Sequence, residues 1–325
     1  MALPFDEEAF EGRLVWILGS PRTGSSWLLR LLIHPWALAS KYPTGLSKRP
    51  RLERGTLPSV VPINEPYLPA HLTPLEAPVY DPAGHYETSD FLMNRFRAED
   101  PSYFFSDEYA EVWRPEVRRM ALVRLHAQVE RASREHELED PLVLIKEPNG
   151  SHGAELLMSL FPRSRMIFLV RDGRDVVDSL VDGFKHGGWL QRERPDIRVD
   201  DFNARLNWVL RQSWLWTYRT EAVQRAYNAH PEELRTTVRY EDLREDTIGA
   251  LRPVVEWLGL DRTDQQLERA AVGLAFETIP DEKKGPGTAR RAAEPGLWKT
   301  NMSSLEQRTM HEVMGEKLRE LGYQD

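Results

Sequence analysis

The feature that most constrains the fold is an apolar run that leads through a glycine-containing loop into a segment with helical spacing. The run Leu14 to Leu18 reads LVWIL, GSPRTGSSW follows it, and helical spacing continues from Ser26 to His34, before Pro35. Such a short apolar run is typical of a strand covered on both faces, as in a parallel sheet. A glycine loop between a strand and a helix places backbone N–H groups and the positive helix end where a phosphate can bind. The stretch therefore predicts a phosphate-binding loop.

Three further runs have the same strand pattern, at Leu142 to Lys146, Met166 to Val170 and Thr236 to Tyr240. Segments with helical spacing separate or follow them: Glu116 to His136, Gly153 to Leu160, Asp175 to Phe184, Phe202 to Tyr227, Thr247 to Leu258 and Ser304 to Leu321. Strands that alternate with helices predict an α/β domain in which helices flank a central parallel sheet. At 325 residues with 41% apolar composition, we expect one domain, residues 1–325, with insertions.

The charge balance limits the kind of partner. The chain has 43 basic and 51 acidic residues, a formal net charge of −8. This balance disfavours general nucleic-acid binding, so an anion site requires a local group of arginines. There are no cysteines, which excludes disulfides and thiolate metal sites.

The sequence gives no indication of a membrane segment. The first residues, MALPFDEEAFEGR, are acidic, and no apolar run approaches the length of a membrane span. We therefore expect a soluble, cytoplasmic protein. No sequence pattern indicates an oligomeric state.

Three segments have the composition of loops that cover a site. Residues 41–90 hold nine of the 23 prolines, so that this segment cannot be mostly helical and is predicted to be a lid or acceptor-binding insertion. Residues 185–200 and 281–297 combine glycine, proline and charge. The alternative for each is a solvated linker.

The loop lacks the lysine of a nucleotide-triphosphate site. Its glycines, Gly19 and Gly24, have the spacing of such a loop, but Ser25 stands at the lysine position. A kinase also needs Mg²⁺ held by an acidic residue near a strand end, whereas the run MIFLV continues into Arg171. A sulfuryl group in transfer carries less negative charge than a phosphoryl group, so hydrogen-bond donors and a cation such as Arg22 suffice without a metal.

A second motif lies after the strand that ends at Val170. Arg171 follows the strand directly, and Ser179 lies eight residues later in the predicted helix. Arg171 is thus predicted at the ligand-binding edge of a parallel sheet, and Ser179 can face the same anion. The alternative is a surface ion pair of Arg171 with Asp172 or Asp175.

These two motifs resemble those of sulfotransferases that use 3′-phosphoadenosine 5′-phosphosulfate (PAPS). GSPRTGSSW is similar to the family's 5′-phosphosulfate loop and FLVRDGRDVVDSL to its 3′-phosphate motif. The resemblance implies the P-loop sulfotransferase fold and transfer of a sulfuryl group to an acceptor hydroxyl, with release of adenosine 3′,5′-bisphosphate (PAP) and without a metal. It assigns donor binding to Arg171, Ser179 and the loop residues Arg22, Thr23, Gly24, Ser25, Ser26 and Trp27.

Weaker matches extend the resemblance toward the end of the chain. YEDLRED places Tyr240 near the adenine, and RRAAEPGLWK resembles a loop that grips the 3′-phosphate. Arg291 falls on the first residue of the Arg-Lys-Gly triplet of that loop; the lysine is absent here, and Arg290 is the candidate replacement. Phe276 and Trp27 fall near adenine-stacking positions of the family, although core packing explains either residue equally well.

The resemblance leaves the catalytic base open. In KEPNGSH, Lys146 matches the family's lysine, but Pro148 occupies the usual histidine position. Two candidates can accept the proton of the acceptor hydroxyl: Glu65 in INEPYL, which resembles the base of tyrosylprotein and several bacterial members, and His152. A surface carboxylate and a helix-capping histidine are the respective alternatives, and another base remains open. Arg22 and Lys146, with Ser25 and Ser26, are expected to stabilise the sulfuryl oxygens and the departing phosphate.

Two rival functions remain at this stage: a small-molecule kinase with a degenerate loop, and a nucleotide-binding module without activity. The expected partner is a small-molecule or carrier-bound hydroxyl acceptor. Trp208, Trp214 and Trp216 have a helical spacing that favours core packing over an aromatic wall for that acceptor.

Overall fold

Five strands form one parallel sheet in the order β2-β3-β1-β4-β5. The computed structural model describes residues 5–33, 60–66, 68–69, 101, 103–136, 138–195, 197 and 199–324. The strands are β1 (Leu14–Leu18), β2 (Val60–Asn64), β3 (Leu142–Lys146), β4 (Arg165–Val170) and β5 (Arg235–Arg239). All adjacent pairs run parallel. The predicted α/β fold with a central parallel sheet is therefore confirmed.

The helices within the described residues are α1 (Glu7–Glu11), α2 (Ser25–Ile33), α3 (Ala110–His136), α4 (Ala154–Leu160), α5 (Gly173–Phe184), α6 (Trp189–Glu193), α7 (Phe202–Ala229), α8 (Tyr240–Glu245), α9 (Thr247–Trp257), α10 (Asp264–Gly273), α11 (Trp298–Asn301) and α12 (Ser304–Glu320). Four of the five that the sequence did not predict, α1, α6, α8 and α11, have six residues or fewer. Such helices are too short to repeat an apolar period. No helix in this part of the chain is long and apolar enough to cross a membrane.

Both faces of the sheet are covered, which explains the continuous apolar strands. In β1, Leu14, Trp16 and Leu18 join a core with α7 and α12, whereas Val15 and Ile17 join a second core with α2 and α9. All five residues of β1 are buried. The alternation follows from the period of two residues in a strand.

The helix with the three tryptophans packs mainly as core. Trp216 is 1% exposed and lies against Gly173, where a Cβ atom would come within 2.5 Å of its ring. Trp208 packs its ring edge-on to Phe184, at 4.7 Å between centroids. Core packing of these two side chains agrees with the helical spacing of the sequence.

The edge strand β2 lies inside the segment that was predicted as a lid or acceptor-binding insertion. Val60–Asn64 pairs along its whole length with β3, although it lies inside the proline-rich segment 41–90. The sequence did not predict this strand because of Pro62. A proline within an apolar run argues against a central strand but is compatible with an edge strand. Most of the remaining lid prediction lies outside the described residues.

The register brings the ends of the strands to one edge of the sheet. Ile17 and Asn64 both pair with Lys146, and Leu18 pairs with Phe168. Gly19, Glu65 and Arg171, which follow β1, β2 and β4 closely, therefore lie along the same edge. This is where open α/β sheets bind ligands.

Candidate functional site

The loop after β1 requires glycine at two positions. A Cβ atom on Gly19 would lie 2.2 Å from the carbonyl oxygen of Leu169. Gly24 has a φ of +89°, and a Cβ atom there would lie 2.6 Å from the ring of Tyr240. A larger residue is excluded at Gly19 because the backbone of Leu169 cannot yield to a side chain. It is excluded at Gly24 because L-residues rarely adopt a φ of this kind.

The loop is closed by its own threonine. The buried Thr23 hydroxyl donates to the Ser20 carbonyl at 2.8 Å, so its side chain is engaged within the loop. Helix α2 begins at Ser25, which is buried, whereas Ser26 is exposed. Thr23 would therefore contact a bound nucleotide through its backbone. Ser26 offers its hydroxyl at the helix N-terminus.

Lys146 joins the loop to Glu65. Its side chain is 5% exposed, and its ammonium group donates to Ser26 Oγ at 3.2 Å and pairs with the Glu65 carboxylate. Asn149 Nδ2 donates to the other Glu65 oxygen at 2.6 Å. The Glu65 amide also continues the strand pairing by donating to the Lys146 carbonyl at 2.8 Å. The carboxylate is therefore fixed from two sides.

Glu65 has an unusual backbone conformation. Its φ is +46°, in the left-handed region, which costs a residue other than glycine about 1–2 kcal/mol. Its side chain is 16% exposed. Strain of this kind persists where the surrounding structure enforces it, and it is concentrated at functional sites.

His152 lies in a different environment. It is 8% exposed, in the short 3₁₀ turn Ser151–Gly153, and this turn packs against α7. Of the two base candidates, Glu65 is the one that the structure joins to Lys146.

A second cluster contains the predicted 3′-phosphate residues. Arg171 donates to the Arg22 carbonyl at 2.9 Å and lies over the ring of Tyr240, at 4.2 Å from its centroid. Arg22 Nε donates to Ser179 Oγ at 3.1 Å, and its Nη2 donates to the Ala289 carbonyl at 2.7 Å. The two motifs that the sequence singled out thus meet through direct hydrogen bonds.

This cluster combines a buried guanidinium with a hydrogen-bond donor that has no acceptor among the described residues. Burial lowers the pKa of Arg22 to about 10, and Arg171 and Arg291 add to the decrease while Tyr240 and Asp182 oppose it. The buried Nε of Arg171 has no hydrogen-bond acceptor in the part of the chain that the structure describes. A phosphate dianion would supply an acceptor for this Nε and favour the charged form of the buried guanidinium groups, so these residues fit the 3′-phosphate of PAPS.

The Arg22 guanidinium lies against the second motif. We expected its guanidinium to stabilise the sulfuryl oxygens, yet the guanidinium bonds to Ser179 of the 3′-phosphate motif and lies 5.3 Å from the ring centroid of Trp189. The loop turns the side chain in this direction at a φ of +70°. Arg22 therefore joins the loop to Ser179, and Lys146 is the cation beside Glu65.

The loop from 281 to 297 contributes Arg291 to the cluster and leaves Arg290 apart. The Arg291 side chain is 13% exposed and pairs with Asp178. Arg290 bonds through its backbone, to Gly285 and Thr288. Its side chain makes no hydrogen bond or ion pair within the described residues, so the expected replacement of the missing lysine has no support from a contact.

Aromatic residues border the loop next to Arg171. Trp27 meets Tyr240 edge-on at 6.1 Å between centroids, and its Nε1 donates to the Leu274 carbonyl at 3.1 Å. Phe276 follows two residues later, with the Lys284 ammonium 5.6 Å from its ring centroid. Burial raises the pKa of Tyr240, against the opposing effect of Arg171, so that the phenol remains neutral. Trp27 and Tyr240 therefore form one wall, which Leu274 links to the segment of Phe276.

Sequence reasoning missed three residues of the site. Asn149, Trp189 and Asp178 contact Glu65, Arg22 and Arg291, respectively. Asn149 was detectable as a polar residue just beyond a strand end. Asp178 was detectable from its spacing with Asp175 and Asp182, which places the three carboxylates on one helix face. Among the described residues, no three His, Cys, Asp or Glu side chains are grouped so that they can hold a metal ion.

Comparisons with known proteins identify the family of the chain and its fold. The model of the sulfotransferase family, described as "Sulfotransferase family", matches residues 15–264. No curated protein sequence matches the chain. Mouse sulfotransferase SULT7A1, solved in complex with PAP, has a similar structure at 13% identity and a TM-score of 0.51, covering 95% of this chain and 85% of its own. For sulfotransferase STF9 from Mycobacterium avium the identity is 16% and the TM-score 0.48, with 96% and 77% covered. Because the family model covers well over half of its residues, the chain belongs to the sulfotransferase family.

Proposed function

We propose that this protein transfers a sulfuryl group from PAPS to an acceptor hydroxyl and releases PAP. One observation carries the proposal: the loop after β1 connects a cluster of three arginines on one side with Lys146 and Glu65 on the other. The first cluster suits a phosphate dianion, and the second suits proton removal next to an anionic leaving group. Family membership supports the reaction class, and the PAP-bound mouse structure supports the identity of the donor.

The donor would lie across the loop. Arg22, Arg171 and Arg291 with Ser179 would bind the 3′-phosphate. Trp27, Tyr240 and Phe276 would border the adenine. The free N–H groups at the start of α2, with Ser25 and Ser26, would bind the 5′-phosphosulfate.

The acceptor oxygen would attack sulfur from the side opposite the 5′-phosphate. A new O–S bond forms, the bond from sulfur to the bridging oxygen of the 5′-phosphate breaks, and the acceptor proton passes to Glu65. Lys146 has three N–H donors, of which two are directed to Glu65 and Ser26. The third can stabilise the charge that develops on the departing phosphate.

His152 is the second candidate for the base. Its imidazole has a suitable ordinary pKa, but its turn packs toward α7 and the observed bonds favour Glu65. The acceptor itself is proposed only by class, as a small-molecule or carrier-bound hydroxyl.

The kinase alternative and the proposed function differ in which nucleotide should bind and stabilise the protein. We expect PAP at 100 times its dissociation constant to raise the melting temperature by about 4 °C, since such binding adds about 2.7 kcal/mol to the stability of a domain of this size. ATP with Mg²⁺ should give a smaller shift than PAP, because it lacks the 3′-phosphate that the arginines require. Thermal unfolding followed by fluorescence measures both. A larger shift with ATP and Mg²⁺, or none with PAP, would contradict the proposal.

A further inference from the structure

Three aspartates on one face of α5 hold the loop that carries Arg291. Asp175, Asp178 and Asp182 are spaced by three and four residues, so that they lie along one side of the helix. Asp182 accepts from the Gly287 amide at 2.7 Å, Asp178 pairs with Arg291, and Asp175 accepts from the Gly296 amide at 2.7 Å. The segment from 287 to 296 therefore runs back along α5, secured at both ends and at its middle.

The middle contact is the one that reaches the donor site. Asp178 is 2% exposed, and one of its oxygens, Oδ2, accepts from both Arg291 Nη2 and Asn301 Nδ2. Burial works against the charge of Arg291, but the hydrogen bond and the charge of Asp178 raise its pKa. A buried pair of this kind requires a defined geometry to offset the loss of solvation. The orientation of the Arg291 guanidinium is therefore fixed before any nucleotide binds.

This orientation places Arg291 next to the other phosphate-binding groups. Its Nη1 also lies 3.4 Å from the carbonyl oxygen of Asp178, the residue that precedes Ser179. On the other side, Arg22 bonds to both Ser179 and the Ala289 carbonyl, two residues before Arg291. A guanidinium has five N–H donors, and Asp178 engages two of them, so donors remain for a phosphate.

We propose that Asp178 is a positioning residue for the 3′-phosphate of the donor: by holding Arg291 beside Ser179, it sets the preference of the site for adenosine nucleotides that carry a 3′-phosphate. The proposal rests on the function proposed above and assigns a role to a residue that does not itself touch the nucleotide. The carboxylate repels a phosphate through space. Preorganisation outweighs this effect, because an arginine that is not held must be ordered by the nucleotide when it binds.

The test separates positioning from charge by comparing two variants. Asp178→Asn removes the charge but retains an amide oxygen at the place of Oδ2, which can accept from Arg291 and Asn301. Asp178→Ala removes both. Titration calorimetry measures the affinity of each protein for PAP and for adenosine 5′-monophosphate, which lacks the 3′-phosphate.

We expect Asp178→Ala to weaken PAP binding about 10-fold and to change the affinity for the monophosphate less than about twofold. Asp178→Asn should lose clearly less PAP affinity than Asp178→Ala. If the alanine variant does not fold, Asp178→Ser, which cannot reach Arg291, should show the same loss. Asp107→Asn is the matched control, since it removes one negative charge from an exposed ion pair with Arg114 and should leave both affinities unchanged.

Each contrary result has a distinct meaning. Wild-type protein that does not prefer PAP over the monophosphate would overturn the proposed function itself. A wild-type preference that Asp178→Ala retains or increases would overturn the positioning role and leave the proposed function intact. An asparagine variant as weak as the alanine variant would also overturn positioning, because the hydrogen bonds would then contribute nothing.

Discussion

Replacing Glu65 with glutamine is expected to lower the rate of sulfuryl transfer about 10³-fold, within the usual range for the loss of a general base. The affinity for PAP should change less than about twofold, because Glu65 contacts Lys146 and Asn149 rather than the arginine cluster. A glutamine can keep both contacts if the Asn149 amide rotates to present its oxygen. The loss therefore reports the missing basicity rather than a disordered site.

The rate is measured as single-turnover transfer from PAPS to an acceptor that the wild-type protein sulfates. A PAP titration of the same sample shows whether the variant is folded. His152→Ala is the control, and we expect it to retain most of the rate. A near-normal rate in Glu65→Gln together with a large loss in His152→Ala would exchange the two assignments. Near-normal rates in both variants would exclude both residues as the base.

The second large effect is expected from Arg171→Ala, which should weaken PAP binding about 100-fold. Removing one partner of a buried charge contact costs several kcal/mol. Arg171 is 9% exposed, and its buried Nε finds no hydrogen-bond acceptor among the described residues. The variant also loses the hydrogen bond to the Arg22 carbonyl and the contact with the ring of Tyr240. The loop itself should therefore become less ordered.

Arg225→Ala is the matched control for this substitution. Arg225 forms a half-exposed ion pair with Glu155 and does not belong to the arginine cluster. Its substitution removes one positive charge, as Arg171→Ala does, but should leave the affinity for PAP unchanged. Calorimetric titration of PAP distinguishes the two. Equal affinities for PAP in Arg171→Ala and Arg225→Ala would exclude Arg171 from the donor site.

The strands with continuous apolar runs were predictable because both faces of the sheet are covered. The run LVWIL corresponds residue for residue to β1, and LVLIK to β3. β2 was not predictable in this way, since Pro62 interrupts it and only its pairing with β3 reveals a strand. The missed strand matters for function because Glu65 follows it directly.

The site was predictable where a motif is local and unpredictable where contacts depend on register. Arg171 and Ser179 lie on one strand end and the helix that follows it, so their spacing carries the information. The pairing of Glu65 with Lys146 requires β2 to lie beside β3, and the direction of the Arg22 side chain depends on Ala289, which is 267 residues away in sequence. Neither relation leaves a pattern in a single sequence.

Transfer of sulfur from labelled PAPS by the wild-type protein tests the central claim most directly. The donor is incubated with phenol, carbohydrate, lipid, peptide-tyrosine and carrier-bound hydroxyl acceptors, and both labelled product and released PAP are measured. The account predicts that at least one acceptor receives the label and that PAP appears in equal amount. Tight binding of PAP without transfer of label to any of these acceptors would contradict it and would identify the protein as a nucleotide-binding module without activity.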